Sequence, residues 1–470
     1  MRRVTNRTRI LLIILSLLAA IAAPALIEGY AALSRAQAAS MRKDFAGAGA
    51  SYEAAAHLLA WRPALWEKAA LAYASGGDWQ QAMPLFERAQ QRGALSADGW
   101  DVFGTGYWLQ SRNTEALQIW SAGFQQYPSE LKFQARLALA YRGLGRYDSE
   151  RQALEAWIQT GRASAAEHYR LGQLLMTTDP DRSRVMLEQA SAMDATFVPA
   201  VDTLRASLDL SAHAADEAQR LVWVGRGLGL VEEWPLAQRA FDAAARADPE
   251  DAEAWAWLGE ARQHGGLDGR GELGKALALD PNDPVVLSLS GLSWKRQGQF
   301  ARALLDYQRA ASLDPKNAEW QAALGEAYGL TGDLVSALQA YQKATELARD
   351  QAGYWRLLAM FCADNAIQLQ EVGLPAAKKA ASLAPNDPAV LDALGWTYAQ
   401  AGLLYNAEEN LSRAEKLNPE MALVHLHLGE TYLRKGDPAS ALVELQTASR
   451  LDSDGPVGAL AGKLLQQYFR

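Results

Sequence analysis

The chain has 470 residues, 49% of them hydrophobic and 21% charged, with 17 prolines and a single cysteine; this composition excludes a disordered chain and a disulfide-stapled scaffold. Net charge is -8, and because Arg2, Arg3, Arg7 and Arg9 contribute +4, the remainder carries -12, which argues against broad electrostatic binding of nucleic acid. Fifteen tryptophans are left for the architecture to explain.

Residues 1–9 form a basic segment, and Ile10–Ile27 follows without a single charge. Eighteen helical residues cover ~27 Å at 1.5 Å each, close to the ~30 Å hydrocarbon core of a bilayer. The expectation is a single-pass transmembrane anchor over 10–29, with the N-terminus cytoplasmic and the body extracytoplasmic. The alternative is a signal peptide cleaved near Ala23-Pro24-Ala25, which would leave the body secreted. No cysteine stands directly after the run, which argues against a lipoprotein anchor. Glu28–Arg42 continues in an alanine-rich pattern compatible with a helix.

From about residue 45 one pattern recurs. A small residue is followed three positions later by a larger, mostly aromatic or aliphatic one, as in Ala70/Tyr73, Gly104/Tyr107, Gly291/Trp294, Gly325/Tyr328, Gly395/Tyr398 and Gly429/Tyr432. The small residue recurs at 70, 104, 138, 172, 225, 259, 291, 325, 359, 395 and 429, mostly 34 apart. A large residue often lies four before it (Trp66, Trp100, Trp255, Trp355), an alanine twelve after it (Ala82, Ala116, Ala303, Ala337) and a second large residue sixteen after it (Phe86, Trp120, Phe241, Tyr307, Tyr341). The i, i+3, i+4, i+7 spacing predicts amphipathic helices in pairs. Glycines such as Gly298, Gly332, Gly402 and Gly436 should end the first helix of a pair, and Asp-Pro or Asn-Pro steps should end the second.

Three departures interrupt the ladder. About twenty extra residues between Leu187 and Gly225 predict an inserted helical joint, 196–216, between an N-terminal array (45–195) and a C-terminal array (217–453). The unit at Gly265–Gly274 is two residues short, with its second helix interrupted by glycine; the unit at Phe361–Pro375 is two residues long, with a helix expected to run on through Ile367 and Leu369. Residues 454–470 predict a capping helix.

This pattern resembles the tetratricopeptide repeat, in about eleven copies over roughly residues 45–453, and the anchored arrangement resembles bacterial membrane-anchored members of that family. The resemblance implies an all-α fold, a right-handed superhelix of helix pairs, whose first helices line a concave groove. Family members that grip a peptide through asparagines have no counterpart here: neither the position two before nor the one after the small residue is ever asparagine. The implied groove is instead aromatic and basic, with Trp108, Tyr169, Trp223, Arg226, Trp257, Trp396 and His427 as candidate partner-binding residues. Such rings suit a protein segment, with glycan binding in support of polysaccharide synthesis or export as the alternative.

Gly269-x-Gly271-x-x-Gly274 spells a dinucleotide fingerprint, but no strand precedes it. His425 and His427 are two apart on a helix and face different ways, and Cys362 reads as a core residue. No catalytic, metal or cofactor residue is assigned. The sequence therefore predicts a non-catalytic scaffold, tied by family analogy to cell-envelope assembly.

Overall fold

The computed structural model describes the backbone of residues 6–469 and the side chains of residues 23–469. The basic segment 1–9 and the apolar run through residue 22 therefore lie outside the described side chains. Among the described residues no helix is long and apolar enough to cross a membrane.

The described elements are α-helices joined by short turns, with one 3-10 turn (Ala195–Phe197), one π-helical turn (Leu369–Gly373) and no strand among them. Two compact units form, one comprising residues up to Ala212 together with Leu230–Leu236, the other His213–Gly229 and Ala237 onward. The helix Val198–Ser211, expected as part of a joint, falls within the first unit. There Arg184 of the helix Pro180–Met193 pairs with its Asp209 at 2.6 Å.

The first helix, α1 (Asn6–Met41), is continuous, and its later half is the front helix of a pair with α2 (Phe45–Leu58). Ala32, Leu33, Ala36 and Ala39 are buried, a helical stripe facing that partner. Asp44 caps α2 by accepting from the Gly47 amide at 3.0 Å. α3 (Ala64–Ser75) follows after the turn 59–63, and a Cβ on Gly49 would lie 2.7 Å from the Tyr73 ring.

Within later pairs the ladder's small residue sits beneath the large residue sixteen positions on. A Cβ added to Gly104 would lie 2.2 Å from the Trp120 indole nitrogen, one on Gly225 2.5 Å from the Phe241 ring, and one on Gly291 or Gly325 3.0 Å from Tyr307 or Tyr341. Phe86, Trp120 and Phe241 are fully buried, each worth about 1.5–3 kcal/mol in area removed from water. Gly298, Gly332, Gly402 and Gly436 adopt φ between 70° and 88°, the left-handed conformation that ends a helix with least strain in glycine.

Two departures resolve differently from the sequence expectation. The helix Ala352–Asp364 does not run on: Ala366 and Gln368 take positive φ, and the chain restarts through the π-helical turn into Leu374–Leu383. The two extra residues are absorbed by that turn, with Gly373 against Cys362. In the short unit, glycine does not interrupt the second helix but starts it, at Gly269 before Arg270–Leu279. Leu273 and the Gly269 backbone lie where a ring would otherwise sit, and a Cβ on Gly269 would fall 2.0 Å from the Gly259 carbonyl oxygen. Of the fingerprint-like glycines, Gly269 is thus a backbone-to-backbone packing device, whereas a Cβ on Gly271 or Gly274 would meet nothing within 4 Å. Trp320, near the start of its helix, is buried beside Leu287 and Ala310.

Gly269→Ala is expected to lower stability by roughly 1–3 kcal/mol, the usual scale of an overpacked contact. Gly271→Ala, with nothing within 4 Å of the new Cβ, should instead raise it by about 0.5–1 kcal/mol. Urea titration followed by amide exchange in residues 252–279 distinguishes the two.

Candidate partner-binding face

In the second unit, Trp223 and Trp257 occupy the same register on successive first helices, Glu217–Leu230 and Ala252–His264. The Arg226 guanidinium lies over both rings, 4.5 Å from the Trp223 centroid and 5.1 Å from that of Trp257. Behind it, Trp257 stacks on Phe241 with centroids 5.7 Å apart and planes 16° from parallel. Three of the candidate residues are therefore one constellation. Among the described residues no carboxylate lies within ion-pair distance of Arg226, and the buried Trp257 Nε1 has no acceptor. A stacked guanidinium keeps its N–H edge available while its flat faces are desolvated by the indoles.

Trp396 and His427 also meet, but inside the protein. The rings stack 4.2 Å apart and 7° from parallel, at 6% and 4% exposure. Trp396 Nε1 donates to Asp364 at 2.8 Å, and His427 Nδ1 lies 2.8 Å from buried Asp392. Burial raises the Asp364 carboxyl above its usual range, against the lowering effects of the Trp396 bond and His427. This pair is a satisfied polar core layer, so neither side chain presents a surface to a partner. The sequence position marked the register but not the carboxylates 35 and 32 residues earlier that hold the rings in.

In the first unit, Trp108 and Tyr169 are half-buried and touch different neighbours. Trp108 lies 6.5 Å from Trp120 and abuts Gly143 of the following pair; Tyr169 lies 4.9 Å from Phe197. Between the helices Lys132–Gly143, Tyr147–Ile158 and Ala165–Leu175 a cavity of about 270 Å³ is walled by Arg136, Arg142, Glu150 and Arg170. The arginines that wall it are each paired with a carboxylate. Arg170, nearly fully buried, holds Glu150 with both nitrogens of one edge (2.6 and 3.1 Å) and Glu233 at 2.9 Å; Arg136 pairs with Asp101 at 2.6 Å. Such a paired network is costly to break rather than open to ligands.

One histidine–carboxylate cluster went unmarked in the sequence: Glu415, His425 and Glu444 approach within 4.8 Å. His425 Nε2 donates to the Pro419 carbonyl at 2.9 Å, and Nδ1 lies 2.6 Å from Glu444. The Glu444 bond is the main reason the imidazole pKa is raised. With Nε2 committed to a carbonyl and Nδ1 to Glu444, the cluster is a hydrogen-bonded contact between helices.

A second cavity of the second unit, about 420 Å³, is lined by Asp216, Asp248, Asp251, Glu253, Asp280 and Asp283. Burial first, then the charges of Asp283 and Asp251, raise the Glu253 carboxyl to about 7. Because folding raises this pKa, the folded state holds the extra proton: stability is greatest below the unfolded value of 4.5 and falls as pH rises through about 7. Glu253→Gln should protect the helix Ala252–His264 at pH 8 in amide exchange, with the advantage shrinking toward pH 5. An unchanged or larger gain at pH 5 would contradict the assignment.

Comparison with known proteins places these helices in context. Residues 231–284, 296–361 and 393–456 match models of the tetratricopeptide repeat family. The human protein O-mannosyl-transferase TMTC1 is 27% identical over 173 residues, which is 36% of this chain and 19% of that protein, so the chain spans about a fifth of this relative's length. Among solved structures, the Cut9–Hcn1 hetero-tetramer of APC/C aligns over 93% of this chain and 95% of its own at 15% identity and a TM-score of 0.42. Yeast Tom70 aligns over 94% and 95% at 14% identity and 0.41. A tetratricopeptide repeat protein from Parabacteroides merdae aligns over 54% and 99% at 16% identity and 0.44. From the matched segments and the helix-pair geometry together, the chain carries tetratricopeptide repeats.

Proposed function

We propose that this protein is a non-catalytic interaction scaffold, held at a membrane by its N-terminal helix, that binds a protein partner along the first-helix face of its second unit. Repeats of this kind generally bind proteins, and the observation that carries the reading here is Arg226, a cation held over Trp223 and Trp257 without a carboxylate of its own. Ion-paired Arg170 and Arg136 show what this chain does with a guanidinium it needs only for itself. Arg226 instead keeps a donor edge beside the two indoles, suited to a partner's backbone carbonyl flanked by apolar side chains. Tryptophan and arginine are the residue types most enriched where interfaces concentrate their energy.

The membrane part of the proposal rests on the sequence: an uncharged run of anchor length at Ile10–Ile27 preceded by four arginines. That charge bias directs the body to the extracytoplasmic side, where cell-envelope assembly is the setting we propose. The alternative glycan reading draws on the same indoles, but a cation fixed between them favours a peptide.

The test is photo-crosslinking in intact membranes from a probe beside Trp257, with the full-length chain. Trp223→Ala combined with Trp257→Ala should abolish the specific adduct, and Arg226→Ala should weaken it at least tenfold while amide exchange in the second unit away from the acidic cavity, residues 284–453, stays unchanged. An adduct insensitive to all three substitutions would place the partner elsewhere.

A further inference from the structure

The unbroken path of α1 has a consequence for the turn between α2 and α3. If the hydrocarbon core ends at Ile27, the first charge beyond it is Glu28, whose carboxylate pairs with Arg35 at 2.6 Å on the exposed side of the helix. One residue later, Gly29 is already buried: a Cβ there would lie 2.7 Å from Leu59 and 3.2 Å from Leu58. Two residues of helix advance only ~3 Å. The end of α2 and the turn 59–63 are therefore level with the place where α1 leaves the apolar run, with no linker to separate the array from the bilayer.

What the turn exposes matches that level. Trp61 is 58% exposed on a turn closed by the Arg62 amide donating to the Leu59 carbonyl at 2.8 Å, while Tyr30 and Ile27 on α1 are 52% and 71% exposed. Of the other large rings of the first unit, Trp66, Trp100, Phe86 and Trp120 are buried, and Trp79, Trp108 and Trp157 are half-buried. Trp and Tyr concentrate at the headgroup boundary because their rings favour an apolar medium while the indole N–H and phenol O–H need polar partners.

We infer that Trp61, together with Tyr30 and Ile27, sits in the headgroup boundary of the bilayer that α1 crosses, giving the first repeat a second membrane contact. The inference rests on the anchored reading above. The geometry tolerates ordinary tilt: a packed helix is offset by 8–10 Å from its neighbour, so a ~20° tilt moves the turn by ~3 Å relative to the bilayer, less than the 5–7 Å depth of one interfacial layer. The occupant is lipid rather than protein because the patch continues the apolar run of the same helix.

Cys362 is fully buried, so a thiol dye can be placed selectively. The full-length Trp61→Cys protein, labelled with an environment-sensitive fluorophore and reconstituted in phosphatidylcholine–phosphatidylglycerol vesicles, should lose most of its emission to lipids carrying a shallow nitroxide and resist aqueous iodide. Met41→Cys, at a site 86% exposed and ~21 Å farther along α1, should show the reverse. A Trp61→Cys probe quenched by iodide and not by nitroxide lipid overturns the inference, and so does one shielded from both, which would mean a protein cover. Alkaline carbonate washing separates the two readings: a chain stripped from the vesicles sinks the anchor itself, whereas a retained chain with an iodide-quenched Trp61→Cys probe sinks only the interfacial seat.

Discussion

A ring or branched side chain laid across the bare backbone of the preceding helix sets the geometry of the repeats. At Gly104, Gly225, Gly395 and Gly429 the space a single Cβ would need is already taken by Trp120, Phe241, Leu411 and Leu445, at 2.2 to 2.7 Å. Where the small residue is alanine, as at Ala70 and Ala138, the residues sixteen on, Phe86 and Leu154, are buried all the same. The contact fixes the separation and register within each pair, and through them the positions that successive first helices occupy. Trp223 and Trp257 meet over one guanidinium because this packing repeats after 34 residues, not because either residue selects the other.

Where chain length breaks the register, the contact is rebuilt by other means. The unit two residues short has Lys275 at the position of the ring, and Lys275 instead lies over Trp255 at 3.6 Å. Gly259 and Gly269 then bring backbone against backbone. The unit two residues long has Pro375 there, and inserts a π-helical turn so that Ala376 and Ala377 still reach the core shared with Leu358 and Cys362. Both solutions depend on glycine at the point of closest approach, since any Cβ would undo the gain.

This explains how much of the molecule was legible in the sequence. Helix pairing, the glycine stops, the inserted helix and the terminal Pro456–Tyr468 helix follow from periodicity and local turn chemistry. The pairing of α1 with α2 was hidden because its stripe is three alanines and one leucine, too weak a pattern beside the strongly apolar run that precedes it. The joining of Trp223, Arg226 and Trp257 was legible as shared register, but the burial of Trp396 and His427 was not. Those two side chains occupy groove positions by count and are drawn inward by Asp364 and Asp392, an interaction between repeats that no local pattern encodes.

The same repetition that organises the packing also concentrates charge. Asp216, Asp251 and Asp283 each accept from an amide at the start of a first helix, at 2.8, 3.1 and 2.7 Å, and each is a favourable choice for its own helix dipole and unsatisfied amides. Stacking brings these starts around one cavity, where the carboxylates that help their helices separately repel one another. Glu253, partly desolvated among them, carries the cost in its raised pKa, and Arg226 acts to lower it. That coupling gives Arg226 two tasks: it offsets an acidic wall from a distance while its donor edge stays uncommitted. For the partner we propose, a carboxylate arriving at that edge would have to compete with the wall's field more than a backbone carbonyl would, so the proposed contact is to a main chain rather than to acidic side chains.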